Sequence, residues 1–152
     1  MTTKNQEPSE DIANEEDVTL IIKHYHEELM RDLFIDNFRM GEMTRKVGLV
    51  RGKWYGRYST NRGELFKKER YKIFLETQGV QKLFEHYQDQ GHPMSEVGVK
   101  AELKKGDKYR ETLESIERLT FLCEYFKGCC ENMDKLSFDI KHVLENTKFE
   151  EM

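Results

Sequence analysis

Residues 119–143 read LTFLCEYFKGCCENMDKLSFDIKHV, and their apolar positions decide the fold. Leu119, Leu122, Phe126, Cys129, Met133, Leu136, Ile140 and Val143 follow one another at alternating steps of three and four. That spacing keeps apolar side chains on one seam of an α-helix, where they can meet a partner helix. Glu124, Lys127, Glu131, Asp134, Lys135 and Lys141 occupy the other faces, which are therefore solvated. The seam admits two readings: the core-facing side of a helix in a small bundle, or a coiled-coil surface for self-association. The unbroken heptads favour the second, so these eight residues are the expected oligomerisation positions.

Working outward, Tyr109, Leu113 and Ile116 extend the same helix towards Asp107, a plausible N-cap, and the pattern carries it to about residue 146. Lys104-Lys105-Gly106 reads as a turn. Over 94–106, Val97, Val99, Ala101 and Leu103 alternate, which allows a short strand, a short helix or a loop. Gly91-His92-Pro93 ends a helix expected over 62–90, whose apolar seam is Phe66, Ile73, Val80, Phe84 and Tyr87. Ser59-Thr60-Asn61 marks a turn and cap before it. A second helix is expected over 38–58, capped by Asp36 or Asn37, and a first over 16–34 carrying Leu20, Ile21, His24, Leu29 and Leu33. His24 and His26 point to different faces, so they are not a metal pair. Residues 1–17 lack periodicity and read as a disordered acidic tail, either a solvating leader or a phosphate mimic that competes for a basic surface.

The totals agree with an all-α chain. The 152 residues suit one domain, and a composition 37% hydrophobic and 36% charged favours long exposed helices over a thick core. No apolar run is long enough to span a membrane, and the N-terminus has no signal-peptide character. Cys123, Cys129 and Cys130 form no CxxC, so reduced core thiols are expected rather than a zinc site or disulfide.

The net charge of −4 conceals a strongly basic block. Residues 37–72 hold eleven Lys or Arg against three acidic residues, net +8. Within the second helix Met40, Met43, Val47, Val50 and Trp54 make an apolar stripe, continued by Tyr58. Gly41, Gly48, Gly52 and Gly56 cluster on the opposite face. Arg45 lies in the middle of the glycines, with Lys46 and Lys53 on one side and Arg51 and Tyr55 on the other. Each helical glycine costs about 1 kcal/mol relative to alanine. Close approach of another backbone would account for them; so would a phosphodiester strand, or a helix broken into shorter pieces. Clustered cations neutralise phosphates and give salt-sensitive, sequence-independent binding. Interleaved aromatics add base stacking, about 1–3 kcal/mol per base. Trp54 is expected in the core, and Tyr55, with Tyr58 and Tyr71 behind it, is the stacking candidate. The expected phosphate contacts are Arg45, Lys46, Arg51, Lys53, Arg57, Arg62, Lys67, Lys68, Arg70 and Lys72. No phosphate-loop, dinucleotide, zinc-protease or nucleophile-elbow motif occurs, so an enzyme, a metal and a cofactor are not expected.

The stretch ELMRDLFIDN at residues 28–37, the Lys53-Trp54 pair and the charged helix ending near Tyr87 resemble the UvsY-like recombination mediators of T-even-type bacteriophages. The C-terminal LTFLCEYFKGCCENMDKLSFDIKHVLENTKFEE resembles the same family, with Phe138, Ile140, Lys141 and His142 in a particularly similar stretch. The resemblance covers roughly 20–152, with a small insertion before Tyr87. It implies an all-α, elongated protomer with a long C-terminal helix that assembles into a ring-like homo-oligomer. It implies a non-enzymatic protein of the infected host's cytoplasm. That protein would bind single-stranded DNA and load a phage RecA-type recombinase in place of the phage single-strand-binding protein. The family's basic motif in the third helix carries over only to Lys82, in Val80-Gln81-Lys82-Leu83. The expected organisation is an acidic tail (1–17), a basic helical DNA-binding region (18–93), a connector (94–106) and an oligomerisation helix with its tail (107–152). The alternative is a coiled-coil scaffold whose basic patch docks an acidic protein partner.

Overall fold

The computed structural model describes residues 15–36 and 39–150, so the acidic tail up to residue 14 and the Asn37 cap lie outside the described residues. The elements are α1 (Glu15–Asp32), α2 (Met40–Phe74), a π-helical turn (Leu75–Gly79), α3 (Val80–Asp89), α4 (Glu96–Lys105) and α5 (Asp107–Glu150). Among the described residues there is no strand, and no helix is long and apolar enough to cross a membrane. Glu15, Glu16 and Asp17, expected in the tail, open α1.

The chain divides into two compact units, Met1–Tyr58 with Glu124–Met152, and Ser59–Cys123. In the first, α1, the start of α2 and the end of α5 enclose Leu29, Val47, Trp54, Phe126, Cys129, Cys130, Met133, Leu136 and Ile140. Trp54 is fully buried, as its place on the apolar stripe predicts. Its ring lies 6.1 Å from Tyr25 and 6.1 Å from Phe126, and Tyr25 meets Phe126 edge-on at 5.1 Å. Such edge and tilted contacts add to what area burial already contributes. In the second unit the buried residues are Leu75, Val99, Tyr109, Thr112, Leu122 and Cys123.

Three expectations are corrected. First, α2 runs through Ser59-Thr60-Asn61 without a turn. Ser, Thr and Asn disfavour a helix interior only weakly, about half a kcal/mol each. Val47, Val50, Trp54, Tyr58, Asn61 and Leu65 keep the covered side in step at threes and fours, so packing overrides the cap signal. Secondly, the seam expected over 62–90 is only partly covered: Phe66, Ile73 and Phe84 are exposed, while Val80 and Tyr87 are half-buried. The covered side of α2 continues through Leu65 instead, and the π turn then shifts the register before α3. Thirdly, six of the eight seam positions on α5, Leu122, Phe126, Cys129, Met133, Leu136 and Ile140, are buried within a single chain. They are core positions of the protomer; Leu119 is half-buried and Val143 exposed.

Residues 94–106 resolve to a helix. Ser95 caps α4, its hydroxyl accepting from the Gly98 amide at 3.2 Å. Gly91 ends the α3 region at φ +75°, a conformation that excludes most side chains.

Candidate nucleic-acid interface

The basic block lies on α2, and its cations divide into those the protein has matched and those it has not. In the first unit, α1 presents Glu28 and Asp32, one helical turn apart, to Lys53 and Arg57 on α2. Lys53 Nζ lies 2.6 Å from Glu28 Oε1 and 2.6 Å from Asp32 Oδ2. Arg57 donates two hydrogen bonds to Glu28, at 2.9 and 3.3 Å, and lies over the rings of Tyr25 and Trp54. The Trp54 indole N–H donates to Asp32 at 2.9 Å. Burial alone would raise the pKa of Glu28, but the hydrogen bonds and charges of Lys53 and Arg57 outweigh it and hold the carboxyl below its ordinary value. Lys53 and Arg57 are thus half-buried cations already matched by carboxylates of α1.

A second cluster joins α2 to α5 within the same unit. Arg51 Nε lies 2.6 Å from Asp134 Oδ1, and the Tyr55 hydroxyl donates to Asp134 Oδ2 at 2.6 Å, with the guanidinium 5.2 Å above the Tyr55 ring. The hydrogen bond to Asp134 raises the Tyr55 pKa, and Tyr55 and Arg51 together lower that of Asp134. Arg51 is half-exposed, so solvent screens its pair with Asp134. Tyr55 is more constrained: its hydroxyl is held and Arg51 lies over its ring. Asp134 reads in the sequence as one more solvated charge; only folding shows that it organises both.

Arg45 is exposed beside Gly41, Gly48, Gly52 and Gly56, and Leu49 on that face is 79% exposed. A Cβ on any of these glycines would meet nothing within 4 Å, so no backbone of the chain's described residues approaches them. The helix is also unbroken there. Of the three explanations for the glycines, neither close packing within the chain nor helix breaking applies.

In the second unit Lys67 pairs with Glu64 at 2.7 Å and Lys72 with Glu76 at 3.9 Å, both exposed or nearly so. The Arg70 guanidinium lies 5.7 Å from the Phe66 ring. Lys68 and Lys82 are exposed and make no ion pair among the described residues, and Arg62 is exposed on α2. Lys68 faces a cleft with Tyr71, Lys108, Glu111, Thr112 and Ser115. Lys108, at the start of α5, is not among the contacts expected from the sequence, because the wider segment 96–118 has no net charge. Among the described residues no group of three His, Cys, Asp or Glu could hold a metal.

No family model and no curated protein matches this sequence. Solved structures do. The bacteriophage T4 recombination mediator protein UvsY in one crystal lattice matches with a TM-score of 0.62 and 19% identity over 85% of this chain and 98% of that one. In a second lattice the TM-score is 0.63 and the identity 19%, over 86% and 97%. The likeness expected from the sequence is borne out as a likeness of fold.

Proposed function

We propose that this chain is a non-enzymatic recombination mediator that binds single-stranded DNA. It would load a phage RecA-type recombinase in place of the phage single-strand-binding protein, in the cytoplasm of the infected bacterial host. The fold it shares with UvsY supports this, at both chains' near-full length. The observation that carries the DNA contact is the set of exposed cations on α2 and α3, Arg45, Lys68, Arg70 and Lys82, which have no carboxylate partner among the described residues in a chain of net charge −4. A protein with more acidic than basic residues has carboxylates to match its cations, as it does at Lys53 and Arg57; leaving these unmatched suits an anionic ligand.

Self-association into a ring would place several such surfaces on one strand, each weak alone and strong together. With Phe126, Cys129, Met133, Leu136 and Ile140 spent in the protomer core, we assign it to the apolar residues left exposed towards the end of α5, Phe138, Val143 and Phe149. The test is fluorescence anisotropy with a labelled oligothymidylate across a salt series. Binding is expected to weaken steeply with salt. Lys67→Glu with Lys68→Glu should abolish it without changing the oligomer's mass. Salt-insensitive binding, or none at low salt, would overturn the DNA reading. A scaffold docking an acidic protein would lose that protein partner in the same variant and show no strand binding in the parent.

A further inference from the structure

We propose that the cleft between α2 and the first turns of α5 in the second unit seats one phosphate of the bound strand, with Lys68 and Lys108 as its cationic walls; this rests on the single-strand reading above. The cleft holds about 210 Å³ and is lined by Lys68, Tyr71, Lys108, Glu111, Thr112 and Ser115. Ligand pockets for whole small molecules span about 300–1,000 Å³, so this one suits a single group rather than a cofactor.

Its lining follows from helical spacing. Lys108, Glu111, Thr112 and Ser115 share one face of α5, and Lys68 and Tyr71 share one face of α2. Thr112 is 5% exposed, and its hydroxyl donates to the Lys108 carbonyl at 2.6 Å, so it is already satisfied and forms the floor. The Tyr71 ring is fixed by stacking on Phe74, 6.1 Å away at 15°. Tyr71 and Ser115 add hydroxyl donors at the wall.

What marks this cleft is that two unmatched cations line it together; Arg70 and Lys82 of the same unit are unmatched too but do not line it. In the same unit Lys67, Lys72, Lys100 and Lys105 each have a carboxylate within 4.0 Å. Lys68 and Lys108 have none among the described residues, although they face one another's cleft. Two ammonium groups lining one cleft repel each other, and Glu111 supplies a single negative charge against two positive ones. One phosphodiester, with its single charge, balances what remains.

The experiment measures oligothymidylate affinity of the full chain against salt for four proteins besides the parent: Lys108→Ala, Lys108→Arg, Lys68→Ala with Lys108→Ala, and Lys100→Ala with Lys105→Ala as a charge-matched control. Circular dichroism verifies the helix content of each. Lys108→Ala is expected to weaken binding about two- to fivefold, the scale of one exposed ion pair. Lys108→Arg should retain parental affinity. The cleft double variant should flatten the slope of log K against log salt by about 0.7, one phosphate on a single strand. A slope for that variant equal to the control's would overturn the cleft while leaving the strand-binding reading intact. Failure of the parent to bind would overturn both.

Discussion

Among single residues, Glu28 bears the most. It sits between two cations from another helix, Lys53, which Asp32 also holds, and Arg57, whose guanidinium it binds twice. Glu28→Gln removes that charge with little change of shape. Hydrogen bonds to charged groups contribute about 1.5–3 kcal/mol, and these are partly open to water, so a loss of about 1–2 kcal/mol at pH 7 is expected. At about 2–4 °C per kcal/mol for a chain of this length, the melting midpoint should fall by about 2–8 °C. The acid dependence has a definite sign. Because folding lowers this carboxyl's pKa below 4.5, its contribution is complete above that pH and is lost as pH falls through the lower folded value. Thermal melts from pH 7 to pH 3 should show the parent losing stability below about pH 4.5 and Glu28→Gln losing less of it. Equal midpoints at pH 7 would show the network to be idle. In retrospect Glu28 and Asp32, four apart, and Lys53 and Arg57, four apart, form a complementary pattern in the sequence; nothing local says that they face each other.

At the scale of the element, α2 shows both what periodicity reveals and where it misleads. The stripe from Met43 to Tyr58 is the covered side, as the three-four spacing demands. The Phe66–Ile73 spacing obeys the same rule yet marks the exposed side, because both faces of the second half carry apolar residues and only packing chooses between them. The glycines allow a direct test. Gly48→Ala with Gly52→Ala meets no steric obstacle and removes two helix-disfavouring residues, so stability should rise by about 1–2 kcal/mol in denaturant titration. The same variant should bind oligothymidylate more weakly if the strand's backbone lies against this face. A stabilised protein with parental DNA affinity would place the strand elsewhere on the protein.

For the whole molecule the proposed self-association needs an apolar surface that the protomer does not bury. Met133 is fully buried within one chain, so Met133→Lys places an unpaired charge in the core and should unfold the first unit, not merely separate folded subunits. Phe138 is 69% and Phe149 74% exposed, so Phe138→Asp with Phe149→Asp should leave the helix content intact. If the ring forms through this surface, light scattering should record a lower mass for that variant. A Met133→Lys protein that stays helical while its mass falls would restore the α5 seam as the subunit interface.

Local spacing and composition were enough for the helical class, the length of the last helix, the burial of Trp54 and the basic block. Each depends on residues within a few turns of one another, where the 3.6-residue period and the charge count speak directly. The tertiary structure decided the rest. It turned the heptad seam inward, because that seam finds its partners in α1 and α2 of the same chain. It matched Lys53 and Arg57 with a carboxylate 25 and 29 residues away, and tied Tyr55 to Asp134, 79 residues on. It also brought Lys108 beside Lys68. A carboxylate that matches a cation leaves no trace in the cation's own neighbourhood, so only the packed helices separate the charges that hold the protein together from those left for a ligand.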